Sequence, residues 1–396
     1  MNLWEETLRE QLARLEREGR LRSLVPVSRA VDPVLERDGR SLINLSSNNY
    51  LGLANHPELM EAAQKGARRG AGATASRLIV GHDEETERLE QEIAAFKETE
   101  AALVFGSGYT ANMGVLSALL QRGDAVFSDK WNHASIIDGI RLSRATLFRY
   151  RHQDMDHLEA QLRQAEKKGI RRKLIVTDTV FSMDGDVACL HDLVALKERY
   201  DAALMVDEAH GGGVFGPYGE GVTHHMGLAG KVDLHMGTFS KAFGVVGAYV
   251  AGSRTWISYL VNTCRPFIYT TALPPVVIEM IRTSLRLVRE AGDRRTALHR
   301  KATRFRNRLK ALGFNVGPSE TQIVPLIVGD VHATVKLSQS LMESGVLAVP
   351  IRPPTVPEGT ARLRFSLMAT HTDEHLETVI DAIERAARTE GVTIHD

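Results

Sequence analysis

The sequence predicts an α/β protein, a mostly parallel central sheet covered by helices, followed by a smaller α+β C-terminal domain. Three observations carry this expectation. Between about residues 100 and 252, short apolar runs alternate with helical patterns, as strands do when helices cross over between them. Beyond that, "TTALPPVVIEMIRTSLRLVREAGDRRTALHRKATRFRNRLKALG" (270–313) reads as one or two long helices after a Pro-Pro start, and then strands and a helix mix. At 396 residues the chain has room for two domains at ~100–200 residues each. The expected division is an N-terminal helical arm over 1–45, a large domain over 46–285 and a C-terminal domain over 286–396.

Each element has its own signal. Trp4, Leu8, Leu12 and Leu15 recur at helical spacing, which predicts an amphipathic first helix that docks on the body of the protein or on a partner subunit. The strand runs are "AALVF" (101–105), "AVFS" (125–128), "KLIVTD" (173–178), "ALMVD" (203–207), "LHMG" (234–237) and "AYVAG" (248–252). Near-continuous apolar runs suit strands buried on both faces. In such sheets ligands sit beyond the carboxyl ends of the strands. "QIVPLIVG", "VLAVPIRPPTVPEGTARLRFSLMA" and the amphipathic "TDEHLETVIDAIERAART" complete the C-terminal pattern.

Composition narrows the function. Lys+Arg and Asp+Glu are both 49, and a polyanion-binding surface needs excess positive charge, so nucleic acid is not an expected partner. No run reaches the ~18 apolar residues of a membrane span. The charged first segment is unlike a signal or transit peptide, which predicts a cytoplasmic protein. Cys189 and Cys264 form no CxxC pair, so neither a disulfide framework nor a metal site is expected.

"ALMVDEAHGGG" (203–213) carries the letters of a DEAH nucleic-acid motor. That reading needs an upstream G-x-x-x-x-G-K-[ST] loop, and the sole Gly-Lys pair, Gly230-Lys231, lies downstream. "HGGG" also resembles a lipase oxyanion loop, but no G-x-S-x-G turn accompanies it. His371 and His375 have the spacing of a zinc helix without its glutamate, and they read instead as a helix start capped by Thr372.

Pyridoxal phosphate fits better. It requires a lysine for a Schiff base, a carboxylate on its ring nitrogen and a cup for its phosphate. Lys241 follows an apolar run among small and hydroxyl residues, where desolvation favours the free amine. Asp207 ends a strand, and His210 three residues later can reach the ring's phenolic oxygen. "FGSGYT" (105–110) turns from a strand into a helix, so Ser107, Gly108 and Tyr109 would offer N–H groups to an anion. Thr238 would complete that cup. His133 follows a strand end and can stack on the ring, and Ser182 follows another and can reach the phenolic oxygen.

These residues, in this order, resemble the α-oxoamine synthases, fold-type I pyridoxal-phosphate enzymes. "LSSNNYLGLANHPE", "GAGATASRLIVGH", "DKWNHASIIDGIRLS", "VDEAHGGGVFGPYGEG", "GTFSKAFG" and "RPFIYTTALPP" carry the likeness across nearly the whole chain. The resemblance implies that Lys241 is the Schiff-base lysine, Asp207 the ring-nitrogen partner, His210 and Ser182 the phenolic-oxygen partners and His133 the stacking residue. It places Gly108, Tyr109 and Thr238 at the phosphate, with Thr270 or Thr271 reaching it from a second subunit. Asn48 and Arg364 are similar to positions that hold substrate carboxylates, and Arg20 and Arg22 lie near the family's N-terminal arginine. A shared site implies an obligate homodimer. The implied activity joins an amino acid to an acyl thioester, carried by CoA or by an acyl carrier protein, with loss of carbon dioxide. "IRPPTVPEGTARLRFSL" is similar to members of the biotin pathway that use L-alanine and a pimeloyl thioester. A member using glycine and acetyl-CoA, an aminotransferase of the same fold, and, least favoured, a nucleotide-dependent remodeller remain the alternatives.

Overall fold

The structure, a computed structural model, describes residues 2–392. It divides into two compact units. The larger comprises Asn48–Ser182 and Asp186–Leu298, the smaller Met1–Ser47, Met183–Gly185 and His299–Asp396.

In chain order the strands are β1 (Val34–Arg37), β2 (Arg40–Asn44), β3 (Ala101–Phe105), β4 (Ala125–Asp129), β5 (Thr146–Tyr150), β6 (Lys173–Asp178), β7 (Ala203–Asp207), β8 (Leu234–Thr238), β9 (Ala248–Gly252), β10 (Ile323–Gly329), β11 (Val346–Leu347), β12 (Pro350–Ile351) and β13 (Ala361–Ser366). Seven of them build the sheet of the larger unit, in the order β3-β9-β8-β7-β6-β4-β5. The pairs β5/β4, β4/β6, β6/β7 and β7/β8 are parallel, while β9 runs antiparallel to both β8 and β3. The six apolar runs of the sequence are all here. β5 has no such run, because Thr146, Leu147 and Arg149 are exposed on this edge strand and its apolar pattern is broken.

Helices cover the sheet. Val115 and Leu116 of the helix Gly108–Leu119 and Ile136 and Ile140 of the helix Ala134–Ser143 pack on Val126, Val176, Met205 and Met236 of the strands. Full burial of such aliphatic side chains stabilises by about 1.5–3 kcal/mol each. The register matters most at one end. Asp178 of β6 pairs with Asp207 of β7, and Asp207 with Met236 of β8. Thr238 pairs with Ala248 of β9, which in turn pairs with Phe105 of β3. Phe105, Asp129, Asp178, Asp207 and Thr238 therefore end at one edge.

The Pro-Pro start opens the helix Pro275–Glu290, and a second helix, Gly292–Ala311, follows. Ile278, Ile281, Leu285 and Val288 of the first are buried in the larger unit, and Lys65 of the helix Pro57–Ala67 donates to Glu279 at 2.6 Å. That helix stays with the sheet, and the division falls at Leu298.

The smaller unit holds two three-stranded sheets, β1-β2-β11 and β10-β13-β12, with the helices Val331–Glu343 and Asp373–Glu390. Phe305 and Phe365 meet edge to face at 5.4 Å. Met183–Gly185 belongs here because Asp184 pairs with the buried Arg362 and the Gly185 carbonyl accepts from Thr321 Oγ1 at 2.9 Å. Gly185 has φ +71°, and a Cβ on it would lie 2.1 Å from the Ile323 carbonyl oxygen, so no other residue fits. The first helix forms over Leu3–Arg17, with Trp4, Leu8 and Leu12 exposed. Among the described residues no helix is long and apolar enough to cross a membrane.

Candidate active site

Asp207 stands at the end of β7, buried. Its Oδ2 accepts from Asn112 Nδ2 at 2.7 Å and its Oδ1 from the Ala209 N–H at 2.8 Å. The next residue, Glu208, turns away and is fully consumed by the scaffold. It accepts from Thr179 Oγ1 (2.8 Å), the Val222 N–H (3.0 Å) and both the N–H and Oγ1 of Thr223 (3.0 and 2.9 Å). The Asp-Glu pair thus divides into a carboxylate with a free edge and a structural one, which is not how a motor would use it on magnesium.

Lys241 lies on the loop between β8 and β9. Gly244 shapes that loop: it has φ +70°, and a Cβ on it would sit 2.5 Å from the Ala54 nitrogen. Lys241 Nζ is 3.0 Å from His210 Nε2, His210 Nδ1 is 2.7 Å from the Tyr50 hydroxyl, and Tyr50 donates to Asn48 Oδ1 at 3.1 Å. An ammonium only donates and an amide oxygen only accepts, so with Lys241 charged the chain has one direction and His210 carries its proton on Nδ1.

Beyond β3, Ser107 caps the helix Gly108–Leu119, its Oγ accepting from the Thr110 N–H at 3.2 Å. A Cβ on Gly108 would meet Thr238 Oγ1 at 3.7 Å, so the helix start and Thr238 are neighbours. Thr238 Oγ1 donates to the Gly247 carbonyl at 2.9 Å and shares a hydrogen bond with Ser240 at 2.8 Å. Tyr109 is half-exposed, hydrogen-bonds Asp138 through its hydroxyl, and stands edge-on to His133 at 6.2 Å.

His133 caps the next helix. Its N–H donates to Asp178 Oδ2 at 2.8 Å, and its Nδ1 is 2.7 Å from Ser135 Oγ. Burial pushes the imidazole below its ordinary pKa. The charge of Asp207 opposes this and that of Lys241 adds to it, so His133 is neutral near pH 7. Burial, then the adjacent Asp207, raise Asp178 well above the usual carboxylate range. Asp178 takes one N–H donor, from His133, whereas Asp207 takes two. Ser182 follows β6 in the same unit.

The larger unit therefore gathers Asn48, Ser107, Gly108, Tyr109, His133, Ser182, Asp207, His210, Thr238 and Lys241. Thr270 and Thr271 belong to it too, both exposed. Arg20, Arg22 and Arg364 belong to the smaller unit. There Arg364 is buried and donates to Ser366 Oγ at 2.9 Å, Arg20 pairs with Glu18 at 3.0 Å, and Arg22 reaches Thr355 at 3.5 Å. His371 and His375 are structural as expected. His371 Nε2 bonds the Asn44 carbonyl at 3.1 Å, and His375 completes a capping box with Thr372.

Asn112, Tyr50 and Asp178 escaped the sequence reading. Asn112 sits one turn into the helix after "FGSGYT", and Asp178 closes its strand run as Asp207 does, so each had a positional signal. Tyr50 had none. The residues present fit pyridoxal phosphate: a strand-end carboxylate, a neighbouring amine, and a helix start for an anion. Asn112, which donates to that carboxylate, has its Oδ1 buried without a partner among the described residues.

Comparison with known proteins agrees. The profile described as "Aminotransferase class I and II" matches residues 40–383. A relative from Halalkalibacterium halodurans, named "Putative 8-amino-7-oxononanoate synthase", is 50% identical over 383 residues, 96% of each chain. A serine palmitoyltransferase from S. paucimobilis, solved with a bound PLP–myriocin aldimine, superimposes with a TM-score of 0.92 at 32% identity, over 99% of this chain and 100% of that one. An 8-amino-7-oxononanoate synthase from Francisella tularensis gives 0.77 at 30% identity, over 89% of this chain and 99% of that one. Likeness of this extent, in fold and in sequence, places the chain in the aminotransferase class I and II family and, within it, among the α-oxoamine synthases, fold-type I pyridoxal-phosphate enzymes that act as acyltransferases.

Proposed function

We propose that the chain condenses L-alanine with a pimeloyl thioester, releasing carbon dioxide and free thiol, to give 8-amino-7-oxononanoate for biotin synthesis. The observation that carries this reading is 50% identity along 96% of the chain to a relative bearing that enzyme's name. Family membership gives the reaction class, and the substrate follows from that relative.

When bound, pyridoxal phosphate supplies a ring that accepts electrons from the amino acid's α-carbon. The chain does the rest. Lys241 would hold the cofactor through its aldehyde carbon, and its amine would serve as the base for the α-proton. Asp207 keeps a proton on the ring nitrogen, and Asn112 holds the carboxylate that does so. Neutral His133 covers one face of the ring. His210 and Ser182 hydrogen-bond the phenolic oxygen. Ser107, Gly108, Tyr109 and Thr238 hold the phosphate, joined by Thr270 or Thr271 of a second copy. Asn48 and Arg364 bind substrate carboxylate, and Arg20 or Arg22 serves the acyl donor. A homodimer suits the exposed Leu78, Ile79 and Val80 and the exposed threonines. A cytoplasmic location suits a biosynthetic enzyme of this class.

A second reading has its own support. The serine palmitoyltransferase superimposes more closely than the oxononanoate synthase, 0.92 against 0.77, which favours serine and a longer acyl thioester. Purified enzyme is incubated with alanine, serine or glycine and with pimeloyl-CoA, pimeloyl carrier protein, palmitoyl-CoA or acetyl-CoA, and products are read by mass spectrometry. Alanine with a pimeloyl donor is expected to give 8-amino-7-oxononanoate. Turnover only with serine and palmitoyl-CoA, or only with glycine and acetyl-CoA, overturns the assignment.

A further inference from the structure

His152 lies just past β5 and touches none of the residues assigned to the cofactor, yet it ties together two segments that carry them. Its Nδ1 is 2.9 Å from Asp129 Oδ1 and its Nε2 is 2.8 Å from Asp186 Oδ2. Carboxylates only accept, so both ring nitrogens donate and the ring is an imidazolium. Trp131 stacks on it at 3.8 Å and 20°, and Phe181 meets it edge-on at 4.5 Å.

Each acid anchors a different segment. Asp129 ends β4 and opens the turn to His133. Its Oδ1 also accepts from the Trp131 N–H at 2.8 Å and its Oδ2 from the Gln153 N–H at 2.9 Å. Asp186 stands opposite the residues before Ser182. The Phe181 N–H donates to the Asp186 carbonyl at 3.0 Å, and Val180 bridges Val187. Both acids are buried, and Asp186 Oδ1 has no partner among the described residues. Among the described residues, the negative charge of Asp186 is therefore answered by His152 and by the Gln153 amide alone.

We propose that His152 is a positioning residue for the acyl-transfer site: as a doubly bonded imidazolium between Asp129 and Asp186 it locks the turn carrying His133 to the segment carrying Ser182. The proposal rests on the assignment of His133 and Ser182 to the cofactor ring. A neutral imidazole here donates to one acid only, and a Gln amide brings no positive charge and no pair of opposed donors, so two buried carboxylates are left facing one another, the two segments separate and the ring loses its fixed seat.

The test uses holoenzyme of His152→Gln, Asp186→Asn and the double variant, with Lys241→Ala in parallel. Readouts are kcat, KM for the amino acid, the visible circular dichroism of bound cofactor, and melting temperature. His152→Gln is expected to keep its cofactor and its KM, to lose kcat about tenfold or more, in line with the ~100-fold cost of a 1 Å misplacement, and to change the cofactor's dichroic band. Asp186→Asn in the same chain removes the unanswered charge and is expected to restore much of both. A lower melting temperature with kcat and the dichroic band unchanged overturns positioning. If His152→Gln does not fold, Asp186→Asn alone decides: a shifted dichroic band supports the clamp, and an unaltered band and kcat overturn it. A cofactor that borohydride still fixes covalently to the chain in Lys241→Ala indicts the site assignment instead, so the two failures are distinct.

Discussion

Asn112 Nδ2 donates to Asp207 Oδ2 across 2.7 Å. The donor sits one turn into the helix whose start adjoins Thr238, and the acceptor ends the strand beside β8. One hydrogen bond thus joins the helix proposed to hold the phosphate to the strand-end carboxylate. Its partner is held in turn, because Asn112 Nδ2 also reaches Ser135 Oγ at 3.0 Å on the neighbouring helix.

Asn112→Ala removes that link and leaves a buried carboxylate oxygen short of a donor. The predicted cost is ~1–3 kcal/mol of stability, read by urea unfolding of the apoenzyme, together with weaker cofactor retention in a fluorescence titration. Unchanged values for both would mean that water replaces the amide without loss.

Asp207→Asn is predicted to separate rate from fold. An amide is nearly the same shape and keeps the Ala209 contact in part, but it cannot hold a ring proton as a carboxylate does. Turnover should fall on the order of 10²–10³-fold, as when one preorganised electrostatic partner is lost, while the melting temperature moves little. Initial rates and a thermal melt check this, and a wild-type kcat would remove Asp207 from the chemistry.

Lys241→Ala is predicted to abolish the covalent lysine–cofactor bond and its absorbance band and to lower the rate by at least the ~10²–10⁴-fold expected of a lost general base. Absorbance spectra and product assays read it out. Cofactor still fixed to the chain by borohydride reduction points to another lysine.

Stability should depend on pH through His152. Burial disfavours its charge, but hydrogen bonds and charge from Asp129 and Asp186 outweigh burial and raise its pKa to about 9. The folded value lies above the unfolded one of ~6.5, so the stabilisation is complete below about pH 6.5 and is lost as pH rises through about 9. Its size is on the order of 3 kcal/mol. Tyr150, raised by burial and by Asp129, does not titrate in that window, while Cys189 beside Gln153 is checked with a serine variant. Urea unfolding from pH 6 to 10 should show the wild type losing stability on the alkaline side and His152→Gln losing much less. Parallel profiles would contradict the clamp.

Much of this protein was legible in the chain. Six of the seven central strands are near-continuous apolar runs because a mostly parallel sheet covered by helices buries almost every residue of a strand. Asp207, Ser107 and His133 could be singled out because polar residues at strand ends and helix starts interrupt such runs where ligands bind. The capped start of the last helix was written in Thr372 and its spacing to His375. Other features belong to the tertiary structure alone. β5 is an exposed edge strand whose residues alternate too weakly to announce it. Asn112 becomes significant only when its helix is laid on β7, and Tyr50 only when the chain brings it 2.7 Å from a histidine 160 residues away. His152 reads as one of 15 histidines until folding places an acid on each side of it. Local sequence fixes which backbone a segment adopts, since propensity, capping and burial pattern act over a few residues. Which polar groups meet, and with what charge, depends on register and packing between distant segments, and so only the folded chain decides it.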